Sequence, residues 1–120
     1  MNTLDAKGLI EALYSAVDNK DVGYLDKMLA DNVQFRIGNS AAITDKATAL
    51  EANKGFFQSI DSMTHQIDDV WAYGEDIICK GSVDYIRLDG SGYSAYFSTF
   101  LKVINNKITE YFVYVDVSGL

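Results

Sequence analysis

The chain has 120 residues, of which 48% are hydrophobic and 22% charged, and this balance predicts a single globular domain over residues 1–120 with a sizeable core. The net charge is −7 and the ten basic residues are scattered, which excludes the basic stripe of a nucleic-acid binder and disfavours an acidic membrane surface. The single cysteine rules out an internal disulfide, and the N-terminal stretch carries acids and no long apolar run, so we expect a cytoplasmic protein without a signal peptide or membrane span.

Two helices are predicted in the first quarter of the chain. Apolar residues recur three and four positions apart over residues 4–19, as they do on the buried face of a helix. That face consists of Leu9, Ile10, Leu13, Tyr14 and Val17. Asp21 is a suitable N-cap for a second, short helix, and Asp31-Asn32 stops it.

A short strand and a third helix follow. Residues 33–38 alternate apolar and polar side chains, which is typical of a strand. Thr44 is a fair N-cap for a helix over residues 45–59. Gly55 lowers the stability of that helix by about 1 kcal/mol relative to alanine, so it marks either a bend or a close contact.

From Ser62 onward the hydrophobic period changes from helical to two. Four strand candidates cover residues 63–73, 77–88, 92–104 and 107–117, and the segments "GED", "DGSG" and "NN" between them are hairpin-turn signals. Segregated helices and antiparallel strands predict an α+β fold. A long, twisted sheet with three helices on one face curls around them, and the resulting cone can stay partly empty.

Three stretches carry a resemblance to a known family. They are "ALYSAVDNKDVGYLDKMLADNVQF", "MTHQIDDVWAYGEDIICKGSV" with a histidine near its start, and "NNKITEYFVYVDVSGL", an aromatic strand that ends in aspartate. In this order they resemble the nuclear transport factor 2-like superfamily, and within it the SnoaL-like and ketosteroid-isomerase-like proteins. The resemblance implies a cone-shaped, curved, mixed or antiparallel sheet wrapped around three helices. The superfamily includes isomerases, cyclases, epoxide hydrolases, dehydratases and non-catalytic binders, so the fold leaves the function open.

The ketosteroid isomerase resemblance makes a sharp demand on three positions. It implies a carboxylate base, a tyrosine and a protonated aspartic acid. Aligned on the first stretch, the base position falls on or next to Ile37, the tyrosine falls on Leu13 beside Tyr14, and the acid falls near Thr99. Isoleucine cannot abstract a proton, so steroid isomerisation is disfavoured.

Asp116 is the carboxylate that the SnoaL-like resemblance singles out, because those cyclases and epoxide hydrolases carry an important aspartate late in the last strand. Strand parity puts Phe112, Tyr114 and Asp116 on one face, which in the relatives looks into the cone. Desolvation there would raise the pKa of Asp116 toward the range useful for acid–base work. The alternative is a structural carboxylate near the open end of the cone. The Arg-x-Asp spacing of the epoxide hydrolases is missing, since Asp84 and Arg87 lie three apart.

His65 is the only histidine in the sequence and lies near the start of a predicted strand. It is either a general base or proton shuttle near neutral pH, or a structural histidine at a strand end. A pair of His65 and Asp116 would form an acid–base dyad. Tyr14 completes the predicted catalytic set, since it packs in the first helix and its hydroxyl can project into the cavity.

Four aromatic residues are candidates for ligand binding. Phe112 and Tyr114 share the face of Asp116, whereas Trp71 and Tyr96 face either the cavity or the outer side of the sheet. The adjacent pair Asp68-Asp69 can conceal a bulge that shifts the parity of Trp71.

The opposite face of the strands is also predicted to be apolar. It carries Tyr93, Phe97, Leu101, Tyr111, Val113 and Val115. A sheet that is apolar on both faces needs a second cover, which in relatives is another copy of the same sheet, so the resemblance implies a homodimer through this face. The alternative is a mixed face in contact with solvent.

No metal or cofactor is predicted, because one histidine and one cysteine cannot build a usual zinc site and the acids show no EF-hand order. We expect an apolar pocket that binds a small hydrophobic molecule or performs acid–base chemistry on it, as an isomerase, cyclase or hydro-lyase does. The alternative function is a non-catalytic dimerisation or protein-interaction module of the same fold.

Overall fold

A computed structural model describes residues 2–120, which form three helices and five strands. In chain order these are α1 (Thr3–Asp18), α2 (Val22–Met28), β1 (Leu29–Ile37), α3 (Lys46–Gln58), β2 (Ile60–Tyr73), β3 (Asp76–Arg87), β4 (Gly92–Ile104) and β5 (Lys107–Val115). The strands lie in one sheet in the order β1-β5-β4-β3-β2. Only the β1–β5 pair is parallel, which makes the sheet mixed and confirms the predicted α+β fold.

Side-chain caps determine where the helices begin. Asp21 accepts a hydrogen bond from the backbone nitrogen of Tyr24 at 3.1 Å, as predicted for the second helix. The third helix is capped one residue later than expected, because Asp45 rather than Thr44 accepts from the backbone nitrogen of Thr48 at 2.8 Å. None of the described helices has both the length and the apolar character needed to cross a bilayer.

A bulge in β2 decides which of its residues face the helices. The pairing between β2 and β3 skips a position between Ile67 and Asp69, as the acidic pair had suggested. His65 and Ile67 therefore point to the concave side of the sheet, whereas Trp71 lies on the convex side with about half of its surface exposed. From here on, the inner face is the side of the sheet that packs on the helices, and the outer face is the opposite side.

β4 and β5 turn toward the helices the face that was predicted to point away from them. Phe97, Leu101, Tyr111 and Val113, expected on the outer side, are all buried against the helices. The reason is visible in the register: Lys102 pairs with Glu110 on the opposite face, and two charged side chains cannot be enclosed in the apolar interior without a large cost. Tyr93 and Val115 likewise pack partly buried against the core.

We predict that Gly81→Ala lowers the free energy of unfolding by roughly 1–3 kcal/mol through overpacking. A β-carbon at Gly81 would lie 1.9 Å from the backbone oxygen of Gln66, so the β2–β3 pair would have to shift. Gly55→Ala is the matched control, because the added β-carbon would meet nothing within 4 Å. This substitution should stabilise the helix by about 0.5–1 kcal/mol. Urea unfolding measures both; equal effects would contradict the close approach.

Candidate functional site

A short, two-point polar contact joins the end of α1 to β2. The Asp18 carboxylate contacts His65 twice: Oδ1 lies 2.5 Å from Nδ1 of the ring, and Oδ2 accepts the backbone N–H at 2.9 Å. The His65 side chain is only 6% exposed and that of Asp18 is 23% exposed. Because the carboxylate can only accept, it assigns the proton to Nδ1 of the neutral ring and leaves Nε2 as the free lone pair.

Aromatic rings enclose the imidazole. The Tyr14 ring lies 4.4 Å from it between centroids, and Phe97 meets it edge-on at 5.1 Å. Nε2 has no hydrogen-bond partner among residues 2–120, yet no fully enclosed side-chain nitrogen or oxygen there lacks one. Nε2 therefore borders open space, and an imidazole held in this way has the arrangement required of a general base or acid.

Tyr14 contributes a hydroxyl group to the interior but cannot serve as a base. Its hydroxyl forms a short hydrogen bond with the Thr99 hydroxyl. Burial raises the pKa of Tyr14 well above its ordinary value, and burial likewise raises the pKa of Tyr111. These phenols therefore stay protonated.

Two neighbouring cavities share four lining residues, and the inner one borders the imidazole. The inner cavity measures about 30 Å³, which is room for about one water molecule, and His65, Tyr14 and Asn53 are among its lining residues. A mouth cavity of about 270 Å³ opens between β1 and α3. Its lining consists of Phe35, Ile37, Ser40, Ala41, Ile43, Ala52, Asn53 and Phe56. The cone is therefore mostly filled at its centre and open at its mouth.

A separate, more polar groove of about 420 Å³ runs along the outside of α1. Its lining includes both residues of the Asp18–His65 dyad, together with Tyr14, Glu11 and Ser15. His65 and Tyr14 thus border both the groove and the inner cavity. The open groove gives His65 a route for exchanging protons with solvent.

Asp116 lies apart from His65 and Tyr14, contrary to the predicted dyad. It is exposed, and its carboxylate accepts hydrogen bonds from the backbone nitrogen and the hydroxyl of Ser118, at 2.9 and 2.5 Å. These bonds hold the pKa of Asp116 below its usual value, the opposite of the expected upward shift. Asp116 borders an open depression of about 590 Å³ at the ends of β1 and β5, whose lining does not include the dyad.

The four aromatic residues predicted to bind ligand all lie on the outer face. Tyr96 is 88% exposed and Trp71 49% exposed. Phe112 stacks beside Phe100 with ring centroids 6.3 Å apart, and Tyr114 accepts a hydrogen bond from the Arg36 guanidinium at 3.2 Å. Phe112 and Tyr114 were assigned to the wrong face, because β5 turns Tyr111 and Val113 toward the helices instead.

Two residues of the site were missed by the sequence reasoning. Asp18 follows Tyr14 by four residues, so both lie on one side of a helix, a spacing that pointed to the same surface. Asn53 gave a weaker signal, as a polar residue between Ala49 and Phe57 on the apolar side of α3. No group of three or more His, Cys, Asp or Glu side chains in the described chain is arranged to hold a metal ion.

Comparison with known proteins identifies the family. The model of the SnoaL-like domain matches residues 10–111, well over half of the sequence. The chain belongs to the SnoaL-like domain family. No curated protein sequence matches this SnoaL-like protein.

Solved structures with the same fold carry different descriptions. An LEH-like epoxide hydrolase from M. tuberculosis superposes with a TM-score of 0.81 at 18% identity, covering 97% of this chain and 86% of that one. An NTF2-like protein from Anabaena variabilis gives a TM-score of 0.82 at 18% identity, covering 95% and 89%. A protein with a ketosteroid isomerase-like fold from Catenulispora acidiphila, in complex with trimethylamine, gives 0.81 at 14% identity, covering 91% and 85%. At these identities the likeness shows the fold alone.

We predict that Tyr14→Phe lowers the free energy of unfolding by about 1–3 kcal/mol, because the buried Thr99 hydroxyl loses its partner. Thr99→Val should act similarly by leaving the Tyr14 hydroxyl unpaired. The double variant should cost less than the sum of the two, since neither half of the pair then remains. Denaturant unfolding of all four proteins tests the coupling, and strictly additive losses would refute it.

Proposed function

We propose that this SnoaL-like protein performs acid–base chemistry on a small, mainly apolar molecule, with His65 as the group that moves the proton. The observation that supports this is the Asp18–His65 pair, in which the imidazole is largely buried, Nε2 has no partner among the described residues, and His65 lines the inner cavity. The reaction class is proton transfer next to a carbonyl, or the addition or elimination of water. The alternative is that the protein binds the same molecule without converting it.

Asp18 is the positioning residue in this proposal. Its two oxygens fix both the backbone and the ring of His65, so the imidazole cannot rotate out of register. When Nε2 takes a proton, the adjacent carboxylate stabilises the imidazolium that forms, as an aspartate does in the serine-protease triad. The Tyr14 and Phe97 rings shield part of the imidazole from water, which strengthens that interaction.

The size of the cavities limits the substrate. The mouth and the inner cavity together provide about 300 Å³, from 270 and 30 Å³, the lower end of the range for small-molecule sites. A compact apolar body fits the mouth, and only a small polar group fits beside His65. Large polycyclic molecules are disfavoured in this conformation.

We expect the protein to accelerate exchange of the α-protons of 2-tetralone in D₂O, followed by proton NMR, because this apolar ketone tests proton transfer next to a carbonyl. His65→Gln should reduce the protein-dependent rate by roughly 10²–10⁴-fold, the usual contribution of a general base. Asp18→Asn should reduce the exchange rate by a smaller factor, because the imidazole remains but is held less firmly in its orientation.

Asp116→Asn is the matched control, an exposed aspartate outside the site, and should exchange at the wild-type rate. Circular dichroism and a melting curve establish that each variant is folded. Full activity in His65→Gln, or no acceleration by the wild-type protein, would overturn the proton-transfer proposal.

A second candidate function rests on the outer face, and here we propose a homodimer with interface residues different from those first predicted. Trp71, Ile78, Phe100 and Phe112 form one cross-strand row over four strands. Such a row leaves a contiguous apolar surface in water, which usually marks an interaction site. Charges of both signs flank it, with Arg36 over the Phe112 ring and Lys80 near Asp69, so the face can complement a second copy of itself.

Ile78→Glu should convert the proposed dimer to a monomer, because it places a charge at the centre of the row. Ile86→Glu is the control, since Ile86 lies on the same strand and face, is similarly exposed (37% against 42%) and stands outside the row. Sedimentation velocity measures the assembly. A monomeric wild-type protein, or equal dissociation of both variants, would contradict this interface.

A further inference from the structure

Asn53 is the polar side chain that lies between the two cavities. It belongs to α3, is 93% buried (7% exposed) and lines both the inner cavity and the mouth. Apart from aromatic residues, Asn53 and Thr99 are the buried residues among those described whose side chains are polar. An amide at the junction of two otherwise apolar spaces requires a partner or loses stability.

Half of that amide has its partner within the helix. Asn53 Nδ2 donates to the backbone oxygen of Ala49 at 2.8 Å, and because that oxygen can only accept, the orientation of the amide is determined. Oδ1 has no hydrogen-bond partner among residues 2–120, and no fully enclosed polar side-chain atom there is unpaired. Oδ1 therefore borders cavity space and is a hydrogen-bond acceptor without a donor among the described residues.

The space in front of Oδ1 selects the donor. The inner cavity has room for about one water-sized group, and Asn53 and His65 are both among its lining residues. A hydroxyl group fits this space and can donate to Oδ1, whereas a carbonyl oxygen cannot. A ketone would therefore form this hydrogen bond only as its enol.

We propose that Asn53 determines specificity in this site: its Oδ1 accepts a hydrogen bond from a hydroxyl group of a small, otherwise apolar ligand that enters through the mouth. The inference rests on the proposed function and narrows its substrate class to apolar alcohols, phenols or enols. The apolar body of the ligand lies against Phe35, Ile43 and Phe56 in the mouth. The polar groove along α1 then serves the dyad as its solvent side and does not hold the ligand.

Binding of two matched probes tests the proposal without any turnover. 4-Ethylphenol carries the hydroxyl, and 1-ethyl-4-fluorobenzene replaces it by a fluorine of similar size that cannot donate. NMR titration of the wild-type protein should give about five- to tenfold tighter binding of the phenol, the usual value of one added hydrogen bond. In Asn53→Leu the preference should vanish or reverse, because the phenol would lose its hydration without gaining a partner.

Gln58→Leu is the matched control, an exposed polar residue of the same helix changed to the same side chain, and it should keep the preference. Asn53→Ala provides the same comparison if Asn53→Leu fails to fold by melting curve. Preference retained without the Asn53 amide, or missing in the wild-type protein, overturns the proposal.

The two proposals fail in different ways. If the phenol preference depends on Asn53 but 2-tetralone exchange is not accelerated, the ligand class stands and the catalytic role of His65 falls. If exchange depends on His65 while the phenol preference is unaffected by Asn53→Leu, the catalytic role stands and the role of Asn53 falls.

Discussion

The double contact of Asp18 with His65 is the constraint on which the site depends. It links two residues 47 positions apart in sequence and ties the last residue of α1 to β2. A buried imidazole would otherwise be able to adopt several orientations and either tautomer. Held by one carboxylate at both its backbone and its ring, it leaves a single ring nitrogen free. The chemistry available to the protein is set by that nitrogen and by the space in front of it.

The remaining polar groups of the interior are of two kinds: hydroxyls that stabilise the packing and an amide that is free to contact a ligand. Tyr14, Tyr111 and Thr99 supply hydroxyls that stay protonated, so they stabilise the packing and offer hydrogen bonds without accepting protons. Asn53 supplies the complementary acceptor at the junction of the cavities. One base, several neutral donors and one amide acceptor in a small apolar space form a coherent arrangement for a compact ligand with one polar group. The outer face, with its aromatic row, is available for a separate role in assembly.

Much of the fold could be predicted from local signals in the sequence. The cap at Asp21, the period-two pattern after Ser62 and the turn at Asn105-Asn106, where both residues have positive φ, each act within a few positions along the chain. The site was predicted less well. His65 and Tyr14 do share a cavity, whereas Asp116 lies on the outer face because β4 and β5 are turned the other way. Glu110, which shares the face of Asp116, was the available sign that this face meets water.

The sequence by itself determined the kinds of elements, their order and the family, because caps, turns and hydrophobic periods depend on neighbouring residues. Only the tertiary structure decided which face of the sheet is covered, since both faces of the last strands carry aromatic residues and parity cannot tell them apart. It also brought Asp18 to His65, because the end of one helix meets a strand only after the chain has folded. The volume left inside the cone was decided in the same way, by how closely the aromatic side chains of distant segments pack.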